Sequence, residues 1–493
     1  MNLAIQIIIP VVIALFAVTW VYFRVLTIAK DKDLVDNPGL RKLQKKPVPV
    51  MGGIAVFFGM VAGVFVGAAM AMAFGWTSLW PIFPVVFAMV LMLYTGAMDD
   101  IVGLSPGNRF LVEILTLFGL VFSTSICADS LHGLWGIETI SWWIAVPLTV
   151  FAGVGIINAI NMIDGVNGLS SGLCIIYCLL FGGIFLIVGD TPNAVLAFVM
   201  AAALFPFFLH NVYGNTSRMF IGDAGTMMMG VLLTWFTLSV IHRNTKAAVF
   251  LVNGNEANMI AMALAILSVP VFDTVRVMFI RIINHKSPFR PDKTHLHHVL
   301  VNMGISHYIT TLFEIGINLL VVGIAILAVY LGANMDWQLY IVIITATFFI
   351  CGTYFFLRMQ LIHHTGFMHR MAHLSISTHR ADKKWWLRLQ HWLDRREERF
   401  NSKSEKSNVK AAYHISIGDD PNNQKEKDRR KVLEFMEGKA EVLVDDIKRY
   451  SGAERLRVDI LLTEGELEGY IKVFTWSENG NPTIVALSED VTF

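Results

Sequence analysis

Charge is scarce in this chain: Asp, Glu, Lys and Arg make up 16% of the 493 residues, against 55% apolar side chains. Apolar stretches of nearly membrane-spanning length recur through the first three quarters of the sequence, which excludes an ordinary soluble fold. Charge imbalance is missing as well, the formal net charge being +1. That balance discriminates little, because the charges are divided between aqueous compartments, and nothing in it points to a nucleic-acid partner. Cysteine is equally sparse. Cys127, Cys174, Cys178 and Cys351 lie in or beside apolar runs. Cys174 and Cys178 share a helix face, yet no second pair with metal spacing accompanies them, so the four read as small packing residues with no disulfide framework. No internal repeat is visible.

What the chain has in abundance is membrane-length helix. Eleven runs fit, at about 3–23, 51–74, 80–98, 110–128, 142–160, 171–188, 193–210, 224–242, 257–280, 311–332 and 338–357. The first has no basic region ahead of it and no small-residue cleavage site, so it reads as a retained helix rather than a signal peptide. An odd number of crossings puts the termini on opposite sides. With Met1 outside, the inner loops hold Arg24, Lys30, Lys32, Arg41, Lys42, Lys45, Lys46, Arg109, Arg218, Arg281, Lys286, Arg290 and Lys293, and the outer loops only Arg243 and Lys246. The positive-inside rule then places the C-terminus in the cytoplasm.

The expected fold is an all-α polytopic membrane protein with a cytoplasmic C-terminal extension. Residues 1–357 form the transmembrane domain, 358–424 a juxtamembrane amphipathic helix and linker, and 425–493 a small α+β module. Within "KKWWLRLQHWLDRREERF", Trp385, Trp386, Leu389 and Trp392 fall near one helical face among basic residues, the pattern of a helix lying in the membrane interface. Residues 425–450 read as a charged amphipathic helix, and "LRVDILLTEG", "GYIKVFTWS" and "TIVALSED" as short strands.

Polar residues of the membrane region gather in four places, all on the predicted inner face. They are "MDDIVGL" from Met98, "NAINMIDGVNGL" from Asn158, "RMFIGDAGT" from Arg218 and "PFRPDKTHLHH" from Pro288. Asp99, Asp100, Asp164 and Asp223 supply hard anionic oxygens suited to Mg²⁺ or Mn²⁺, which commonly binds through one or two carboxylates and substrate phosphates. Arg218 and the loop holding Arg41 and Lys42 offer charge to phosphate, and Gly222 and Gly225 allow close backbone approach near a helix start. Taken singly, each cluster has a plain structural use: a helix end at the headgroups, an N-cap, a turn, or a positive-inside signal. Their coincidence on one face argues for a single site. His295, His297 and His298 lack the spacing of a zinc site and suit hydrogen bonding to phosphate or sugar hydroxyls. Inside the spans, Glu113 and Asp273 stand out, Asp273 with Arg276 at i+3 and Pro270 just before it.

These motifs, in this order, resemble the polyprenyl-phosphate N-acetylhexosamine-1-phosphate transferase family, and the His-x-His-His form is similar to its bacterial undecaprenyl-phosphate N-acetylglucosamine-1-phosphate transferase branch. The resemblance covers residues 1–357 and leaves the tail outside. It implies Mg²⁺ and catalysis at Asp99, Asp100 and Asp223. It implies a nucleotide and metal site lined by Asn158, Asn161 and Asp164, with Asn167 beside them, and recognition of the sugar nucleotide by His295, His297 and His298. The family often has a second aspartate where this chain has Asn167, and a histidine where it has Gln44, so a role carried by that carboxylate or imidazole does not operate here unchanged.

The reaction so implied joins a UDP-N-acetylhexosamine, first of all UDP-N-acetylglucosamine, to undecaprenyl phosphate in the inner leaflet and releases UMP, the first step of a lipid-linked surface glycan. A phosphate monoester is largely ionised at neutral pH, so positioning and charge neutralisation outweigh proton abstraction, with Asp99 as the candidate base where one is used. Two other classes compete. A cation-coupled transporter would place its acids near the bilayer midplane between repeats, and a membrane scaffold for the C-terminal module would leave the aspartates without a purpose. The sequence does not decide between a monomer and a homodimer.

Overall fold

The computed structural model describes residues 2–36, 47–287, 294–363, 385–395 and 397, and in the C-terminal segment 432, 435–436, 442–451, 458, 462, 471–476 and 482–487. Arg41, Lys42 and the first half of the histidine loop lie outside the described residues. The chain divides into two compact units, Met1–Ser402 and Lys403–Phe493.

The first unit is a helical bundle. In chain order come α1 (Asn2–Asp31), α2 (Gly52–Phe74), α3 (Phe83–Val102), α4 (Pro106–Thr124), α5 (Trp142–Met162), α6 (Leu169–Val188), α7 (Thr191–Tyr213) and α8 (Gly222–Ile241). After these come α9 (Met259–Ile266), α10 (Ser268–Ile283), the short α11 (Leu296–Asn302), α12 (His307–Tyr330), α13 (Met335–Ala346) and α14 (Thr353–Ile362), with a further helix, α15, at residues 385–395. Among the described residues ten helices are long and apolar enough to cross a membrane, the run Met335–Ile362 through α13 and α14 counting as one, and the bent pair α9–α10 makes eleven if taken as one span. The protein is a multi-pass membrane protein. Its outward faces carry Phe16, Phe65, Phe87, Phe151 and Ile187, exposed apolar side chains that suit contact with lipid.

Helix α8 is the axis of the bundle. Some 94% of its most apolar stretch is buried, against 28% for α1. Small residues let its neighbours close in: a Cβ on Gly96 of α3 would run into the Asp223 carbonyl, and one on Gly230 would fall 2.5 Å from Ile157 Cα on α5. Such close approach is how helices associate where no hydrophobic gradient separates them from lipid. The consequence reaches the site, because α3, α5 and α8 carry three of the four polar clusters.

The span predicted at 257–280 is not one rod. α9 and α10 meet at 79°, with the break at Leu267. Pro270, in the first turn of α10, has no N–H and its ring crowds the carbonyl four residues back, so the helix restarts there. Asn318 on α12 repairs the gap by donating to the carbonyls of Ala265 and Ile266 and to Ser268 Oγ, at 3.0, 3.0 and 2.8 Å. At the other end of the pair, Asn258 caps α9 by accepting from the amides of Ile260 and Ala261.

Near the bundle's polar end, β1 (Val35–Asp36) and β2 (Val48–Pro49) pair antiparallel. A second small ribbon, β3 (Leu251–Val252) with β4 (Asn255–Glu256), precedes α9. In the tail, α15 forms as predicted, but its tryptophans divide: Trp386 is 8% exposed, while Trp385 and Trp392 remain about half exposed. The buried row is Trp386, Leu393 and Glu397, spaced seven and four apart.

In the second unit, β5 (Val442–Leu443), β6 (Ile471–Trp476) and β7 (Pro482–Leu487) form an antiparallel sheet in the order β5-β7-β6, with α16 (Val444–Ser451) after β5. Two of the three predicted strands are present. Val458 and Leu462, predicted as strand, are helical and buried, four residues apart on one face. A short apolar run such as "VDILL" satisfies both periods, so the pattern alone does not separate strand from helix. The expected long helix is likewise cut by β5 before α16 begins.

Candidate active site

The head of α8 is shaped by a backbone that only glycine tolerates. Gly222 has φ +72, and a Cβ there would lie 2.5 Å from Asp100 Oδ2 and 2.8 Å from Val50. With the chain turned this way, the amides of Asp223 and Ala224 donate to the two oxygens of Asp100 at 3.0 and 3.1 Å. A carboxylate at a helix N-terminus is favoured by the exposed N–H groups and by the helix dipole. Asp100 of α3 is therefore fixed against α8, and Asp223 is carried to the same place in the first helical turn. Asn161 of α5 donates to Asp223 Oδ1 and to Thr226 Oγ1, tying the third helix in.

These groups open onto a cavity of about 520 Å³, within the range of small-ligand sites. Its lining includes Asp33, Asp36, Asp100, Asn161, Asp164, Asn167, Asp223 and His298. Thus residues from all four sequence clusters meet at one cavity. Among the described lining residues there are five aspartates and neither lysine nor arginine. The loop that holds Arg41 and Lys42 leaves and rejoins the described structure through the β1–β2 pair, whose Asp36 lines the cavity.

Asp164 follows α5, and Ser170 Oγ donates to its Oδ1. Its side chain is exposed to the cavity, with protein packed densely around it. Poor solvation lifts its carboxyl to about 6, with the Ser170 hydrogen bond opposing the rise. The turn after it is anchored twice: Gly168 N–H donates to Asn211 Oδ1 at 2.6 Å, and the Asn167 carbonyl accepts from Thr311 at 3.2 Å.

Behind the cavity wall stands a charge cluster that motif reading missed. Arg109 of α4 donates to Asp99 Oδ2 at 3.0 Å, approaches Glu113 at 3.4 Å and lies 3.6 Å from Asp223 Oδ2. Asp99 Oδ1 accepts from the Leu104 amide at 2.7 Å. Both Asp99 oxygens are engaged, and Asp99 is not among the residues lining the cavity. Asn158 is also turned away, donating to Glu113 Oε2 at 2.7 Å. The i,i+4 spacing of Arg109 and Glu113 is visible in the sequence, but their junction with Asp99, Asn158 and Asp223 is made only by packing.

The histidines take separate roles. His295 Nδ1 is 2.7 Å from Asp273 Oδ2, and Asp273 also pairs with Arg276 at 2.6 Å, the i+3 partnership expected from the sequence. Arg276 donates to the Thr294 carbonyl and covers the Tyr354 ring at 3.4 Å. This assembly anchors the histidine loop. His297 stacks beside His295 and against Gly165, where a Cβ would lie 2.6 Å from its Nε2. Burial, with the neighbouring imidazoles, holds His297 well below the ordinary histidine range, so it is neutral at physiological pH. Neither of its ring nitrogens has a partner among the described residues. His298 alone of the three lines the cavity. Arg218 is not among the lining residues. Its guanidinium is depressed by burial, with Asp394 and Tyr22 as its electrostatic neighbours.

A multi-pass membrane bundle with an acidic, ligand-sized cavity at one end defines a class of membrane enzyme site. Residues 82–241 match the family described as glycosyl transferase family 4. The chain is 30% identical over 309 residues to the "Probable undecaprenyl-phosphate N-acetylglucosaminyl 1-phosphate transferase" of Bacillus subtilis (strain 168), covering 62% of this chain and 81% of that relative. It is 28% identical over 354 residues to the "Undecaprenyl-phosphate alpha-N-acetylglucosaminyl 1-phosphate transferase" of Escherichia coli (strain K12), covering 69% and 88%. The chain belongs to the undecaprenyl-phosphate N-acetylglucosaminyl 1-phosphate transferase family.

Proposed function

We propose that the protein transfers N-acetylhexosamine-1-phosphate, with N-acetylglucosamine as the first sugar, from a UDP-sugar to undecaprenyl phosphate. The observation that carries this reading is the convergence of Asp100, Asp164 and Asp223 on one cavity, in a chain that belongs to this transferase family. An oxygen of the lipid phosphate forms a bond to the β-phosphorus of the sugar nucleotide. The bond from that phosphorus to the bridging oxygen breaks, and UMP leaves with the electron pair. The nucleophile is already ionised near neutrality, so the protein's task is to align two anions and offset their repulsion.

A cavity rich in carboxylates repels a diphosphate unless a cation intervenes. We infer a Mg²⁺ site, with Mn²⁺ as a substitute, and the residues fit it: Asp100 and Asp223 both face the cavity and can share a cation with diphosphate oxygens. Among the described residues no three of His, Cys, Asp and Glu are grouped so as to hold a metal ion by themselves. When bound, it neutralises charge on the diphosphate. Asp99, which does not line the cavity, acts through Arg109. Cavity-lining His298 serves the sugar nucleotide as a hydrogen-bonding group, while buried, neutral His297 packs behind it against Gly165. Asn161 holds Asp223, and Asn167 lines the same wall.

The lysine and arginine distribution supports an orientation with the N-terminus outside; in an inner bacterial membrane the cavity then opens to the cytoplasm, where nucleotide sugars are soluble. Purified protein with undecaprenyl phosphate and a panel of UDP-sugars is expected to release UMP with UDP-N-acetylglucosamine, and to stop when divalent cations are chelated. Absence of turnover with every UDP-N-acetylhexosamine would refute the reading.

A further inference from the structure

The helix α15 packs on the turn that delivers Asp223. Asp394 Oδ1 accepts from the amides of Asn215 and Ser217, each at 3.2 Å, and from Ser217 Oγ at 2.7 Å. Three hydrogen bonds to one carboxylate oxygen, two from main chain, fix the turn more firmly than packing alone. Lys30 of α1 joins both partners, donating to the Thr216 carbonyl at 2.9 Å and pairing with Glu397. On the apolar side of α15, Trp386 packs on Tyr213, at the end of α7, and on Tyr308, with ring centroids 4.6 and 5.8 Å apart.

The turn leads directly into the strand of backbone that ends at Asp223. Tyr22 OH holds the Ser217 carbonyl at 2.8 Å, and Ser217 Oγ lies 3.1 Å from His210 Nδ1. Asn211 donates to the Met219 carbonyl, and its other end accepts from Gly168 beside Asn167. Phe220 N–H then donates to the Pro49 carbonyl at 2.8 Å, and its carbonyl accepts from Gly52, in register for Gly222 and Asp223 to meet Asp100. From Ser217 to Asp223 almost every backbone position is held, and the segment begins at Asp394.

We propose that α15 is a positioning element for the transfer reaction and that Asp394 is its positioning residue, acting through the Asn215–Ser217 turn on Asp223. A tail segment beyond the last membrane helix thereby becomes part of the catalytic unit. The inference rests on the transferase reading for its consequence in turnover, but the clamp itself has a readout independent of activity.

The test uses the full chain in lipid nanodiscs. Asp394→Ala is expected to lower kcat about tenfold, with KM for the sugar nucleotide changed by less than about twofold, since an alignment lost only at the transition state acts on kcat. Asp394→Asn keeps an oxygen to accept from Ser217 and is expected to recover most of that loss. Because Ser217→Ala removes one bond of the same clamp, the double variant is expected to be no slower than Asp394→Ala alone. Hydrogen exchange at the Asn215 and Ser217 amides is expected to rise about tenfold in Asp394→Ala, with α3 unaffected. Unchanged exchange, unchanged kcat or additive losses in the double variant would overturn the proposal. If Asp394→Ala fails to accumulate, Ser217→Ala decides, because it removes the Oγ bond of the clamp: the proposal stands if exchange rises at the amides of 215 and 217 and kcat falls, and it is overturned if neither changes. A wild-type protein with no turnover but with protected amides at 215 and 217 would remove the transferase reading and leave the clamp.

Discussion

Arg109 and Arg276 each sit among buried carboxylates, and the two clusters are built for opposite ends. Around Arg276 the set is closed at the carboxylate, which is fully engaged, although the guanidinium keeps one nitrogen, Nη1, without a hydrogen-bond partner among the described residues. Asp273 gives one oxygen to Arg276 and the other to His295, the Leu296 amide approaches both, and the guanidinium lies on Tyr354. Around Arg109 the set is open: one guanidinium serves Asp99, Glu113 and Asp223 together, and Asp223 still reaches the cavity with Asp100 beside it. Charge matching completed within the protein stabilises a loop. Charge matching left incomplete at a cavity wall makes a site for a ligand that brings the missing charge. Counting acids in membrane helices would not separate these cases, whereas following each carboxylate oxygen to its partner does.

The largest expected effect falls on the open set. Asp100→Asn and Asp223→Asn are each expected to lower turnover by about a thousandfold, the scale of removing a group that stabilises transition-state charge, with normal amounts inserted in the membrane. Near-normal rates in either would erase the distinction between the clusters. At the closed set the expected loss is one of folding: Asp273→Ala strands Arg276 and should cost about 3–5 kcal/mol of stability. A thermal midpoint equal to that of the wild type would show that the closed cluster is not structural.

The smallest effect is a shift in pH dependence. Asp164 sits near 6, raised by its enclosure and lowered by Ser170. Activity that needs the carboxylate is lost as pH falls through about 6. Removing the Ser170 hydroxyl takes away a bond that favours the ionised form, so in Ser170→Ala the acid limb of the pH–rate profile moves to higher pH, by less than about one unit. A limb that stays in place belongs to the lipid phosphate, whose second ionisation is also near 6.

Much of this was legible in the sequence because membrane helices announce themselves by length, and four polar clusters on one face are hard to place otherwise. The meeting of Asp100, Asp164, Asp223 and His298 at one cavity follows from that arrangement. Pairwise partners were less legible. Arg109 reads as one more inner-loop charge until α4 packs beside α3 and α8, while Arg218, beside the Phe-x-Gly-Asp motif, points instead toward Tyr22 and Asp394. Asn158 shares motif and helix face with Asn161, yet one more helical turn carries it past the cavity to Glu113. Pro270 marked α10 as irregular, but the position of the bend depends on Asn318, far away in sequence.

That last contact sets an order on how the chain is made. Residues 259–283 leave the ribosome before Asn318 exists, 53 positions beyond Ala265. Until α12 arrives, the carbonyls of Ala265 and Ile266 have no side-chain amide to meet them, and in lipid an unmet carbonyl is costly. Pro270 breaks the helix from within, and the carbonyls freed at the bend are met by a side chain only when a later helix reaches an earlier one. Its neighbour Asp273 holds the histidine loop, so the cavity acquires its last wall only once the membrane domain is nearly whole.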